Sequence, residues 1–291
     1  MAETKRVISP GAEEILKTPY MVLDKGQIML LDYMGNDSEI VAAARTSTTI
    51  DYAREIKDET RLIRRLMREG HASPFEQVEI KLFCKMPLYI ARQWIRYRTA
   101  NVNEISGRYT EMVFGCHVPD LSELKKQDQR NKQMSGQPLD SKTAQEVLHI
   151  IVDQESSAQE AYQRLLQLGL SREMSRIVQP SAVYTQWVWK NDLHNVFHFL
   201  QQRLAEDAQP QIKAYAKILA NIAEKVAPIA YQAFVDYALK AIKLSKMEVK
   251  LLVPIQKTPA DLEKLCTEEG LVESEIRAFR QKLKTLGILE K

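Results

Sequence analysis

The chain has 291 residues, 45% hydrophobic and 27% charged, globular proportions that exclude a disordered, collagenous or coiled-coil protein. With 41 basic against 38 acidic residues the net charge is only +3, too little to argue for a nucleic-acid partner. Cys84, Cys116 and Cys266 lie far apart without CxxC spacing, the start MAETKRVISPGAEEIL lacks an apolar core, and no stretch approaches 18 uninterrupted apolar residues; a thiol-reduced cytoplasmic protein with no membrane partner is expected.

Residues 1–20 are polar and read as an N-terminal arm. Met21 to Asp32 predicts two short strands around a Lys25-Gly26 turn. Ser38 is a candidate cap for a short helix reaching Thr46, and Asp58 precedes a clearer one, with Leu62, Ile63, Leu66 and Met67 as its stripe and Gly70 as its stop. Beyond the loop His71-Ala-Ser-Pro74, the alternation of Val78, Ile80, Leu82 and Cys84 predicts a half-buried strand over 77–85. Pro87 then opens a helix through Ile95. A polar loop is expected from Thr99 to Gly107, a strand from Arg108 to Phe114, and an exposed excursion over 115–141.

Helices dominate afterwards. One is predicted from Ser141 to Leu168, a short one from Ser171, and a third with Leu193, Val196, Phe197, Leu200 and Leu204 as its stripe; a long pair follows across Pro228. From Leu244 the composition changes, and Leu262, Leu265, Leu271, Ile276, Phe279, Leu283 and Leu286 suit two short amphipathic helices. The expected class is α+β, a mixed or antiparallel sheet with a helical layer. The expected division is an arm (1–20), a catalytic domain (21–243) and a helical C-terminal extension (244–291).

Chemistry concentrates between Arg92 and Arg108. This stretch holds Arg92, Arg96, Arg98 and Arg108 against a single acid, Glu104. Arg92 and Arg96 share a helix face, while Ser106 and Gly107 add a hydroxyl and an unhindered N–H beside Arg108; rigid guanidinium forks with small donors suit a phosphate monoester. The alternative is a solvated basic helix end, against which Trp94, Ile95 and Ile105 interleave with the charges. His194 and His198 stand at i, i+4, but Asp192 is the only local carboxylate, and no metal is expected.

Arg96-Tyr97-Arg98, seven residues, then Ser106 resembles the RHR-x7-S signature of the flavin-dependent thymidylate synthases (ThyX). His71-Ala-Ser-Pro-Phe-Glu76 resembles that family's H-x-[ST]-P-F-E loop, and Asn103 to Tyr109 its NExSxRY continuation. Ser171 to Pro180 is similar to R-E-x-[AS]-R-x-x-x-P, and Trp189 to Arg203 to the DLHNLFHFLRLR helix.

The resemblance implies a ThyX-like fold and a homotetramer with sites at subunit interfaces. It implies reductive methylation of dUMP at C5, with methylenetetrahydrofolate as carbon donor and FAD, reduced by NADPH, as hydride source. Arg203 matches the arginine that promotes ionisation of the pyrimidine. Arg92, Gln93, Arg96, Glu104, Ser106, Gly107, Arg108, Arg176 and Arg203 fall on the nucleotide. His71, Ser73, Arg96, Tyr97, Arg98, Thr99, Asn103, Glu104, Asp192, His194 and His198 fall on the flavin. Such chemistry needs no cysteine nucleophile, and Cys84, in an alternating strand, reads as a buried structural thiol, with Cys116 beside a loop.

The departures gather on the flavin side. Tyr97 replaces the middle histidine of RHR, Gln77 stands where histidine is usual, and Leu204 to Ile212 carries Asp207 and Gln211 in place of histidine and glutamate, with Pro210 between them. Three readings follow: a thymidylate synthase with an altered flavin pocket, an enzyme modifying UMP or another uracil nucleotide at C5, or a nucleotide-binding paralogue with weakened flavin binding.

Overall fold

Val78, Ile80, Leu82, Cys84 and Met86 are all fully buried, the alternation that a strand produces when one face meets a core. The computed structural model describes residues 6–47, 59–112, 114–129, 132 and 134–290. In chain order the elements are α1 (Pro10–Ile15), β1 (Pro19–Val22), β2 (Gly26–Met34), α2 (Asp37–Arg45), α3 (Glu59–Glu69), β3 (Glu79–Pro87), α4 (Leu88–Trp94), β4 (Asn101–Glu104), β5 (Lys125–Gln127), β6 (Ser135–Pro138), α5 (Ser141–Gln167), α6 (Arg172–Ser175), β7 (Tyr184–Asp192), α7 (Leu193–Arg203), α8 (Pro210–Val226), α9 (Pro228–Phe234), α10 (Lys246–Lys257), α11 (Leu262–Glu268) and α12 (Glu273–Thr285).

The main sheet has the order β1-β2-β3-β7-β4, and every neighbouring pair is antiparallel. Its longest pairing, β3 with β7, runs from Glu79 opposite Asp192 to Pro87 opposite Tyr184. Strand β7 is absent from the sequence reading, which assigns its last residues to the following helix. Asp192 explains the difference: it ends the strand and caps α7 in one step, accepting from the Asn195 N–H at 2.9 Å, so no glycine or proline marks the change. β4 is likewise a strand inside the expected polar loop. Conversely, the described residues of 108–114 form turns and loop, not a strand.

The described residues of the expected arm, 6–20, pack against the rest of the first unit. Ala12 and Ile15 are buried, Ser9 Oγ donates to the Lys225 carbonyl at 2.7 Å, and Tyr33 Oη donates to Glu13, which ties α1 to β2 and α8. Asn36, not Ser38, caps α2, its side chain accepting from the Ser38 N–H at 2.9 Å. The proposed Asp58 cap lies outside the described residues. In the excursion, β5 and β6 pair as a separate small sheet, and Cys116 and His117 are buried.

The chain divides into two compact units between Leu239 and Lys240. The second unit holds three helices; α10 includes Pro254, which masks it in the sequence. Leu251, Ile255, Leu262, Cys266, Leu271, Phe279 and Leu283 form its own core, and Glu248 pairs with Lys282 at 2.7 Å.

Within the first unit, the buried Asp37 carboxylate receives two N–H groups of the first turn of α9, from Ile229 at 2.9 Å and Ala230 at 2.8 Å. Burial pushes its pKa up, and these two donors oppose the shift. Asp37→Ala leaves both donors without their acceptor and is expected to cost about 2 kcal/mol, read as a lower urea midpoint at unchanged slope.

Candidate active site

β3 passes directly into α4 at Pro87, and the first-turn donors of that helix are satisfied by Val183 (Leu88 N–H, 2.9 Å) and Ser181 (Tyr89 N–H, 2.9 Å). Helix α4 ends on Trp94, which is fully buried. Its ring meets Trp187 and Trp189 of β7 at 6.1 and 5.8 Å between centroids, Phe199 of α7 at 4.7 Å and Tyr215 of α8 at 6.0 Å. The residues on either side of Trp94 are therefore held at fixed positions while their side chains face outward.

Arg92, Arg96 and Arg98 are exposed and make no hydrogen bond or ion pair among the described residues. Tyr97, between two of them, turns inward and is 8% exposed. Its hydroxyl donates to Gln202 Oε1 at 2.7 Å, its ring lies 4.9 Å from Phe199 and 5.7 Å from His198, and the Arg203 guanidinium sits over that ring at 5.3 Å. Arg203 Nε is buried without a partner. Burial pushes the Tyr97 phenol up, with the Arg203 charge opposing. The structure thus joins Tyr97, His198 and Arg203 in one cluster at the C-terminal end of α7.

β4 carries the chain about 10 Å, from the arginine loop to the Ser106 loop. Glu104, at its end, accepts from the buried Thr185 hydroxyl at 2.5 Å. The Ile105 N–H donates to the Gln186 carbonyl at 2.9 Å, and Ser106 Oγ accepts from the Arg108 N–H at 3.2 Å. Gly107 sits at a close approach: a Cβ there would stand 3.2 Å from Arg176 Cδ and 3.3 Å from Met112 Cγ. Arg108 pairs with Glu173 at 3.3 Å, and Arg176 Nε donates to the Glu173 carbonyl at 3.2 Å. Ser106, Gly107, Arg108 and Arg176 are therefore brought together, as a phosphate cradle requires.

At the opposite end of β7, Asn191 Nδ2 donates to Thr99 Oγ1 at 3.4 Å, and the Leu193 N–H donates to the Val78 carbonyl at 2.8 Å. The loop before β3, the arginine loop and the start of α7 meet there. Asn191 is buried with Oδ1 unpartnered. Sequence reading missed it, although its place on the same strand face as Trp187 and Trp189 marks a polar side chain on the core side. Asn103, His194 and His198 are exposed. His71 is exposed beside Glu69 at 3.5 Å and opens onto a groove of about 1080 Å³ that also holds Arg45, Arg61, Arg64, Arg65 and Arg68. Ser73 lines a second groove of about 550 Å³ with Gln77 and Thr46. Neither groove includes the Ser106 loop or Arg203.

Of the departures, Pro210 is the first residue of α8, where a missing N–H costs nothing. Asp207 is exposed in the α7–α8 connection. Gln93 donates to Gln209 Oε1, Gln209 donates to Gln211 at 3.0 Å, and Gln211 donates to Glu123 at 2.7 Å. The thiols are unsuited to attack: burial pushes Cys84 far up, and Cys116 to about 11, the nearby Glu155 and Asp24 adding to the effect.

The family profile of the thymidylate synthase complementing protein matches residues 29–229. A flavin-dependent thymidylate synthase of Ehrlichia ruminantium (strain Gardel) is 41% identical over 252 residues, 86% of this chain and 84% of that protein. One from Thermus thermophilus is 42% identical over 263 residues, 90% of this chain and 94% of the relative. In structure, the UMP/dUMP methylase PolB of Streptomyces cacaoi, bound with 5-Br UMP, superposes with a TM-score of 0.67 at 27% identity, covering 75% of this chain and 98% of that one.

The thiol environments set a measurable expectation. At pH 8 iodoacetamide should leave Cys84 and Cys116 unmodified in the folded protein and alkylate all three cysteines in urea, as counted by intact mass. Rapid labelling of either residue in the folded state would show an accessible thiolate.

Proposed function

The chain belongs to the flavin-dependent thymidylate synthases, and on that premise we propose that it methylates dUMP reductively at C5 to give dTMP. The arginine arrangement carries the reading. Arg92, Arg96 and Arg98, exposed and unpaired among the described residues, stand on one side, and on the other Arg203 is braced on Tyr97 with a buried Nε that lacks an acceptor among them. Such a set attracts a dianionic monoester and stabilises negative charge developing on a pyrimidine, which is how C5 is activated without a thiolate.

FAD fits the residues present: the unpartnered Asn191 Oδ1 beside Thr99 is an acceptor for a ring N–H, and the unpaired arginines match a diphosphate. Asp192, His194 and His198 complete that side, with His71 and Ser73. When bound, FAD supplies the hydride, with NADPH as its reductant, and methylenetetrahydrofolate supplies the carbon. Ser106, the Gly107 N–H, Arg108 and Arg176 bind the phosphate. Arg203 presents its guanidinium nitrogens to the pyrimidine, and Tyr97 keeps them from turning away. Glu104, held by Thr185, orients the nucleotide between the two loops.

Assembly follows from the same layout. His71 and Ser73 open onto grooves beside α2 and α3, while Ser106 and Arg176 lie at the far end of β4. Enclosing one flavin and one nucleotide thus calls for residues from several copies, and a cytoplasmic homotetramer with interfacial sites is the assembly we infer. A second reading, methylation of UMP, is favoured by the likeness to PolB, whose structures hold both 5-Br UMP and 5-Br dUMP.

A competition assay separates the readings. With FAD, NADPH, methylenetetrahydrofolate and equal dUMP and UMP, mass spectrometry should find methylated dUMP alone; methylated UMP would support the second reading, and no product from either would refute both. Arg203→Ala should lower kcat by roughly 10²- to 10³-fold while the purified protein stays yellow. Unchanged turnover would remove Arg203 from its role.

A further inference from the structure

The four-residue chain of side-chain hydrogen bonds from Gln93 to Glu123 has a direction, and that direction is imposed at its far end. Glu123 is a carboxylate and can only accept: Oε1 takes the Gln211 amide N–H at 2.7 Å, and Oε2 takes the Asp120 N–H at 2.9 Å. Because Gln211 spends its NH₂ on Glu123, its carbonyl must receive, and it accepts from Gln209 Nε2 at 3.0 Å. The same constraint passes on: Gln209 Oε1 accepts from Gln93 Nε2. Every amide in the series is oriented by the one after it.

The local backbone suits this relay. Gln209 occupies the cap position of α8 without a side-chain cap bond, and Pro210 follows with no N–H to compete for its carbonyl. The side chain of Gln209 is therefore available to Gln93. All four relay residues are half-buried, which limits the water able to substitute for a missing partner. Glutamate at position 211, usual in the resembled motif, would set two carboxylates against each other here; Gln211 together with Glu123 replaces that conflict with a bond.

We propose that the relay is a specificity device: it ties the Gln93 NH₂ to Gln209 and holds Oε1 outward, so that Gln93 turns its acceptor end toward the nucleotide. This rests on the reading of Gln93 as a nucleotide-side residue. A phosphate carries only acceptors, so Gln93 faces a hydrogen-bond donor of the nucleotide, either the pyrimidine N3–H or a sugar hydroxyl, and the phosphate is left to the arginines. Glu123, Gln211 and Gln209 are positioning residues acting through Gln93.

Reversing the relay tests this. Glu123→Lys puts a donor at the far end and inverts all three amides, turning Gln93 Nε2 outward; dUMP Kd should rise roughly five- to tenfold, the worth of one hydrogen bond. Adding Gln211→Glu to that variant restores an acceptor at 211, sets Gln209 and Gln93 back in their original sense, and should recover most of the affinity. Measured by calorimetry on the full-length holoprotein, the loss in Glu123→Lys should vanish for whichever analogue lacks the donor, 3-methyl-dUMP for the pyrimidine N–H or 3′-deoxy-dUMP for the hydroxyl.

Equal dUMP affinity in wild type and a folded Glu123→Lys variant would overturn the proposal, as would an equal loss for all three nucleotides. Failure of the wild type to bind dUMP at all would overturn the underlying reading of Gln93 instead, and the proposal with it.

Discussion

The burial of Trp94 is the constraint on which the rest of the site depends. A single indole at the end of a seven-residue helix touches β7, α7 and α8 at once, so the three elements that supply candidate functional groups share one reference point. Aromatic pairs in this geometry contribute about 0.5–1.5 kcal/mol each beyond the area they bury. Such a nest tolerates no displacement of α4 along the sheet. Gln93 and Arg96 flank Trp94 in sequence, and Tyr97 extends the same packing to Phe199. The loop carrying the arginines is therefore irregular in conformation yet held by a close-packed interior.

That rigidity has an electrostatic purpose. Arg92, Arg96 and Arg98 are like charges within seven residues, with no carboxylate bonded to them among the described residues. Free side chains would spread or recruit counterions; anchored backbones keep the charges near one another, and the resulting potential is relieved by an arriving anion. Arg108 and Arg176, by contrast, are both held by Glu173, one through its carboxylate and one through its carbonyl, which sets their position at some cost in field strength. On the proposed function, the first group would draw the ligand in and the second would fix where its phosphate rests.

Much of this was legible in the sequence. The β3 alternation, the α7 stripe and the Gly70 stop with φ +75° appear as read, because each follows from periodicity that burial enforces; of the C-terminal apolar positions Leu286 is exposed, as is Ile95 just past the end of α4. Ser106, Gly107, Arg108 and Arg176 also come together as their motifs implied. Elsewhere the periodic signal was absent or misleading. β7 runs into α7 through one capping aspartate, β4 is a four-residue polar edge strand, and the 108–114 alternation is satisfied by loop contacts such as the Met112 N–H on the Tyr162 hydroxyl at 3.2 Å. Pro254 hid α10. The glutamine series joins residues more than a hundred positions apart, from α4 to the start of α8, and such pairing is invisible until the chain is folded.

The aromatic nest also has an optical consequence. The chain holds three tryptophans, and Trp94, Trp187 and Trp189 all belong to it. Every indole emitter thus lies in the packing of α4 against β7, α7 and α8, shielded from water and close enough to its neighbours for excitation to pass between them. Intrinsic emission from this protein reports on one region alone. A red shift means that the floor of the site has opened.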